Sequence, residues 1–338
     1  MNTIVRFLSP ALIALLAIFN TAHAQQTPAV PTLNGFQLVD LALPLEEMFI
    51  GGPSRESIKS IDKPEFSAAK DDDFLAANDL VIGITFNGVT KAYPARILNH
   101  HEVVNDRFGD KSVAVTYSPL TGTAIAYLAD VDGETRKFGV SGLVYNNNSL
   151  FFDTKTESLW AQVLGQGVAG AASGQMLEQL PATWTTWNNW KGQNPNTLVL
   201  NRNTGHEVDY AVNPYEGFET TRGLRYPINK VNKMMPLKER VVGVEVNGTF
   251  RAYPMFVLQM ENRPLIADTF NGVELLIRYD KESKTVLVTN IKGEVYPSVT
   301  GYWYSWYAFH PETDVFMLND GKNNRKPGEV TITTASIQ

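Results

Sequence analysis

Apolar and polar positions along much of this chain follow a two-residue period, and turn residues interrupt it at short intervals. That pattern predicts short antiparallel strands. Val81–Phe86 is β-rich, Asn87-Gly88 is a strong hairpin signal, and Val89–Tyr93 returns. Pro94 stops the return strand and opens a helical turn over Ala95–Asn99. Ser112–Tyr117, Gly122–Ala129 and Glu134–Val140 follow across turns at Pro119–Gly122 and Asp132-Gly133, which predicts a meander. Leu143–Tyr145 and Leu150–Asp153 flank the turn Asn146-Asn147-Asn148. Thr183–Lys191 reads as a short helix carrying Trp184, Trp187 and Trp190, and Thr197–Leu200 as a return strand.

The opening stretch recurs. Val81–Leu98, VIGITFNGVTKAYPARIL, is matched 160 residues later by Val241–Leu258, VVGVEVNGTFRAYPMFVL. Asp268 aligns with Asp106, and Trp306 and Pro311 resemble Trp187 and Pro195. The expected fold is therefore mainly β: two related antiparallel β modules with short helices, each a sandwich or a partly open barrel. The boundaries read as an N-terminal extension over 25–70, a first module over 71–200, an ordered connector over 201–236 and a second module over 237–338.

Residues 1–24 have the layout of a cleaved signal peptide: Arg6, an apolar run from Phe7 to Phe19, and Ala22-His23-Ala24. The run is about 13 residues, short of the roughly 20 that span a membrane, so no stable span is expected after cleavage. The expected location is periplasmic or extracellular. The formal charge of -6 becomes -7 without Arg6, which argues against nucleic acid as a partner. The chain has no cysteine, which removes thiolate catalysis, iron–sulfur clusters and Cys-ligated metals.

Candidate chemistry gathers in three places. After the first hairpin comes Asn99-His100-His101-Glu102-Val103-Val104-Asn105-Asp106, where Glu102 and Asp106 are four apart. At the corresponding place the second copy has Gln259-Met260-Glu261-Asn262-Arg263 and no histidine, so the first copy is the better place for a site. The second candidate is Ser118 and Thr121, two hydroxyls flanking a tight turn, with no nucleophile-elbow pattern around them. The third joins Ser141 and Tyr145 to Asp153, Ser158, Trp160 and Gln162. Each residue also has a structural role open to it, as a turn cap or a core hydrogen-bonding group.

The stretches VIGITFNGVTKAYPARILNHHEVVND, VAVTYSPLTGTAIAY, FGVSGLVYNNNSLFFDTKTESLWAQ and TWTTW together resemble the bacterial family called domain of unknown function 3179. The resemblance runs over roughly residues 69–215 and extends through the second module. The family's usual second motif looks like YCPLCGTA, and Ser118 and Thr121 stand here where those cysteines would be. The resemblance implies a common pocket containing His101, Glu102, Asn105, Asp106, Ser141, Tyr145, Asp153, Ser158, Trp160 and Gln162. It implies no reaction.

The first functional expectation is an exported soluble protein with a noncatalytic ligand-binding, partner-binding or structural role. Its partner would be a small molecule, a glycan or a protein, with self-association possible and no cofactor. One alternative is a hydrolase or metal-assisted enzyme using His101, Glu102, Asp106 and Asp153, with a divalent metal. Another is a subunit of an extracellular assembly, suggested by aromatic content and short edge strands.

Overall fold

Asn87 and Gly88 both adopt positive φ, 48° and 73°, and so do Asn247 and Gly248, at 49° and 74°. Two such residues in succession form the tight turn whose twist matches that of paired strands. Each turn closes a hairpin, Leu80–Phe86 with Val89–Pro94 and Arg240–Val246 with Thr249–Pro254. The registers coincide: Val81 faces Pro94 and Gly83 faces Ala92, as Val241 faces Pro254 and Gly243 faces Ala252. A computed structural model describes residues 29–52, 54–261 and 263–317 of the chain. The leader expected over 1–24 and the final segment expected after 328 lie outside the described residues.

The copies then run in parallel. Seven-residue helices α1 (Ala95–His101) and α3 (Met255–Glu261) follow the hairpins. Three-stranded meanders come next, Val103–Phe108, Lys111–Ser118 and Thr123–Leu128 in the first copy, and Leu265–Phe270, Val273–Asp280 and Thr285–Asn290 in the second. Each copy ends as strand, helix, strand: Thr183–Thr186, α2 (Trp187–Gln193) and Leu198–Leu200, against Val299–Tyr302, α4 (Trp303–Phe309) and Asp314–Val315. In both, the first of these strands joins the hairpin antiparallel and the last joins it parallel. The expected helix over Thr183–Lys191 thus begins as a strand, because Thr183–Thr186 completes the edge of Leu80–Gly83.

A tryptophan from each helix covers a hairpin glycine. A Cβ on Gly83 would lie 2.3 Å from the Trp190 ring, and one on Gly243 2.3 Å from that of Trp306. The indole nitrogens donate to Thr197 and Thr313, each at 3.0 Å. Trp306 therefore corresponds to Trp190, not to Trp187 as its surroundings in sequence suggest; the partner of Trp187 is Trp303. Trp187, Trp190, Trp303 and Trp306 are all buried in the core.

The copies interlock reciprocally. Val299–Tyr302 pairs with Thr123–Leu128 through Thr300 and Ala124, which joins the second hairpin and the first meander into an eight-stranded sheet. Thr183–Thr186 lies beside Thr285–Asn290, where Thr285 Oγ1 donates to Thr185 Oγ1 at 2.6 Å. The equivalent place on the other side brings Thr123 against Gly301, where a Cβ would lie 2.6 Å from the Thr123 methyl.

The first copy departs from the second by an insertion. Phe138–Tyr145, Asn148–Asp153, Leu159–Ala161 and Gln166–Ala169 form a sheet whose far edge is Met48–Ile50. One face of the first meander, with Val104, Val113 and Val115, packs on the hairpin residues Ile82, Ile84 and Tyr93. Its other face, with Val103 and Ala114, packs on Phe138, Val140, Phe151 and Trp160 of the insertion. Lys111–Ser118 is consequently buried from its second residue on, whereas Val273–Asp280 of the second copy buries alternate residues only. The fold is mainly β and layered, and among the described residues none of its sheets closes into a barrel. The N-terminal segment contributes edges on two sides, since Phe66–Ala68 pairs with Leu198–Leu200 where a loop was expected.

Gly83→Ala and Gly243→Ala are each expected to destabilise the fold by about 1–3 kcal/mol, because a fixed indole has no room to move. Gly192→Ala, in α2 with open space around it, should instead gain up to about 1 kcal/mol. Urea unfolding of the three variants checks this, and equal effects at Gly83 and Gly192 would contradict the packing.

Candidate functional site

Residue 102 closes α1 in the left-handed region, at φ 56°, and that turn sends His101 and Glu102 into different surroundings. His101 Nδ1 lies 2.6 Å from the Lys59 carbonyl and Nε2 2.7 Å from the Tyr210 hydroxyl, which lies 2.6 Å from Thr204 Oγ1. Nδ1 must donate to the carbonyl, and in a neutral ring Nε2 then accepts from Tyr210. Burial agrees, holding the His101 pKa down at about 4. Both ring nitrogens are engaged, and neither is directed at Ser118.

Glu102 turns toward the Ser118–Gly122 turn and is 5% exposed. Ser149 Oγ donates to its Oε2 at 2.7 Å, and the Tyr215 hydroxyl approaches Oε1 at 3.4 Å. Burial raises the Glu102 pKa to about 7, while those two hydroxyls pull it the other way. Ser118 Oγ lies 3.2 Å from Ser149 Oγ and accepts from Ser149 N at 3.2 Å. Ser118, Ser149 and Glu102 thus form a chain of polar groups at the seam between meander and insertion.

Thr121 and Thr123 continue that seam, their hydroxyls 2.7 Å apart. Asn148 Nδ2 lies 3.0 Å from both, and 2.7 Å from Gln162 Oε1. Gln162 accepts from Thr123 Oγ1 at 2.6 Å and donates to Thr116 Oγ1 at 3.1 Å. The second copy reproduces the turn with Ser283 Oγ 2.7 Å from Thr285 Oγ1, and Lys284 at φ 53° where Gly122 has 62°. The Thr121–Thr123 contact is therefore part of the scaffold. Asp280, at the strand end corresponding to Ser118, is exposed.

The second copy supplies the other wall of the turn. Tyr302 N donates to the Thr121 carbonyl at 2.9 Å, and the Tyr304 hydroxyl to the Leu120 carbonyl at 2.5 Å. The connector lies across the same region: His100 Nε2 is 2.8 Å from the Val212 carbonyl, and Tyr215 reaches Glu102. Asn147, at φ 60° in the insertion's hairpin turn, clamps Tyr226 by exchanging two hydrogen bonds with its backbone.

Of the residues singled out in the sequence, Glu102, Ser118, Thr121 and Gln162 come together here. The others have partners elsewhere. Asp106 accepts from Lys91 Nζ at 2.8 Å and from the Tyr93 hydroxyl at 2.5 Å, and Asp268 repeats this with Arg251 and Tyr253. An arrangement present in both copies is a device of the fold. Asn105 stitches Phe138 to the meander through both backbone groups. Ser141 donates to the Leu150 carbonyl and accepts from Leu143 N at a bulge where Gly142 has φ 71°. Asp153 caps its own turn through Thr156 and receives the Trp160 indole N–H at 3.1 Å, while Ser158 accepts from Ala172 N. Tyr145 accepts from Asn229 Nδ2 at 2.7 Å.

His101, Glu102, Asp106 and Asp153 share no hydrogen bond with one another among the described residues. Among those residues no group of three or more His, Asp or Glu side chains is placed to hold a metal ion. Sequence reasoning overlooked Asn148, Ser149 and Arg240, and took Tyr215, Tyr302 and Tyr304 only as aromatic surface. Asn148 and Ser149 sit in and after a turn recognised only for its geometry, and Arg240 stands one residue before the repeat.

Behind His101 an open cleft of about 440 Å³ lies between the 56–65 segment and residues 203–206. Glu56, Asp62 and Glu65 line it with Lys59, Lys63 and His206. The His206 ring is 5.2 Å from that of His101.

A family model described as protein of unknown function (DUF3179) matches residues 55–296, spanning the first copy, the insertion, the connector and most of the second copy. No curated protein and no solved structure matches the chain.

The raised Glu102 pKa makes a stabilising contribution below its ordinary carboxylate range, and that contribution is lost as pH rises through about 7. Glu102→Gln should therefore gain about 3 kcal/mol on the native chain between pH 4.5 and pH 8. The opposing slope from buried neutral His101 is common to both proteins and cancels in the difference. Parallel stability curves from urea unfolding across that range would show that Glu102 does not titrate inside the fold.

Proposed function

From the premise that the chain belongs to the DUF3179 family, a family described without a function, we propose that it is an exported, noncatalytic protein that binds a small polar molecule. The observation that carries this reading is the state of the Ser118–Gly122 turn. Thr121 is locked to Thr123 and Asn148, Ser118 to the Ser149 backbone, and both nitrogens of His101 are engaged elsewhere. Among the described residues Ser118 has no base within direct hydrogen-bond reach, as nucleophilic catalysis by that serine would require; the Ser149 hydroxyl stands between it and Glu102.

The cleft beside His101 supplies the recognition surface. Its volume, about 440 Å³, falls within the range of small-molecule sites. Three acidic and two basic residues, His206, Ser60, Asn203 and Thr204 line one space, which suits a solute bearing both donors and acceptors, such as an amino acid or a sugar. Export rests on the layout of residues 1–24. Among the described residues no helix is long and apolar enough to cross a membrane.

One observation favours a second reading. A buried carboxyl with a pKa near 7 that touches a hydroxyl chain leading to Ser118 is suited to general acid–base work. The two readings separate by experiment. Calorimetric titration of the chain with a panel of amino acids and mono- and disaccharides should give a ligand whose affinity falls about tenfold in Lys63→Ala or His206→Ala, the loss expected for one charge-assisted hydrogen bond. A ligand indifferent to both substitutions would displace the cleft from this role. Turnover of an ester or amide with a pH inflection near 7, abolished by Glu102→Gln, would replace the binding reading with the enzymatic one.

A further inference from the structure

Arg240 opens the hairpin of the second copy, and its guanidinium crosses to the Ser118–Gly122 turn of the first. Nε and Nη2 lie 3.2 and 3.0 Å from the same oxygen of Glu219, and Nη2 lies 3.4 Å from the Tyr302 hydroxyl. Nη1 is buried and has no hydrogen-bond partner among the described residues. Gly122, at φ 62°, lies beside it: a Cβ there would stand 3.4 Å from Nη1, in van der Waals contact.

Other arginines with a buried unpartnered nitrogen are better supplied. Arg136 Nη1 is 3.7 Å from Asp153, and both terminal nitrogens of Arg251 meet carboxylates. At Arg240 one branch of the fork is left over. The rings of Tyr302 and Trp184, both buried, lie 5.0 and 6.0 Å from the guanidinium carbon and attract the cation.

Glu219 indicates what belongs there. Its carboxylate meets the guanidinium through one oxygen only, its side chain is 61% exposed, and it is carried on the single 3₁₀ turn Phe218–Thr220 of the connector. A guanidinium fork is satisfied best by two parallel bonds to both oxygens of a carboxylate. We propose that Arg240 anchors the carboxylate of a small organic acid at this turn, and that Glu219 is an internal placeholder which the ligand displaces. The site shares no residue with the polar cleft.

The test is calorimetric titration of the full chain with benzoate, acetate and inorganic phosphate. Benzoate and acetate should both bind through the carboxylate, and phosphate more weakly than either. Glu219→Gln removes the competing charge and should tighten benzoate about tenfold, the worth of one charge-assisted hydrogen bond. Arg240→Gln should abolish binding, with or without Glu219→Gln. Arg240→Lys keeps the charge without the fork and should weaken benzoate about tenfold, with an unchanged melting profile showing that the chain is folded. Lys63→Ala, in the cleft, should leave benzoate unaffected. Absence of benzoate binding, equal affinity in wild type and Glu219→Gln, retention in Arg240→Gln, undiminished affinity in Arg240→Lys, or phosphate as the tightest ligand would each overturn the assignment.

Discussion

The first meander is covered on both faces, by its own hairpin on one side and by the insertion on the other. Polar side chains on its continuously buried stretch, Ser112 to Thr123, cannot turn to bulk water, and a buried polar group without a partner costs more than a typical hydrogen bond contributes. Thr116, Thr121, Thr123, Asn148 and Gln162 therefore satisfy one another. The same confinement takes water from the Glu102 carboxyl and moves its proton affinity into the neutral range. Site chemistry here is a by-product of layering.

Comparison of the two copies separates what the scaffold requires from what is particular to the first. The Asp with its basic partner and tyrosine, the indole over a glycine, and the hydroxyl pair at the meander turn occur twice. Glu102, Ser118, Ser149 and Gln162 belong to the copy that carries the insertion. In the second copy only residues 291–298 separate the meander from the next strand. The outer face of that meander is open, with Glu274, Arg278 and Asp280 exposed.

Much of this was legible because it is local. Asn-Gly dipeptides set the hairpin turns, Pro94 marked the passage from strand to helix, and the Val81–Leu98 repeat announced the duplication. The region of the site was legible too, through Glu102 and the 118–121 turn. What was not legible depends on distant packing: the Thr183–Thr186 strand needs the edge of Leu80–Gly83, and Arg240 reaches a turn more than a hundred residues earlier. His101 and Glu102 looked like a pair because they are adjacent, and the left-handed backbone at residue 102 divides them. Asp106 looked functional until Asp268 showed the same bonds.

Thr123 against Gly301 and Thr285 against Thr185 are one contact made twice, with the roles of the two copies exchanged. That is the geometry of a twofold dimer written within a single polypeptide. Residues 201–236 act as the tether, so association of the halves does not depend on protein concentration as it would between separate chains. The halves are thereby freed from having to remain identical. One of them has acquired an additional sheet and a buried carboxyl, while the other keeps the complementary surface that holds it in place.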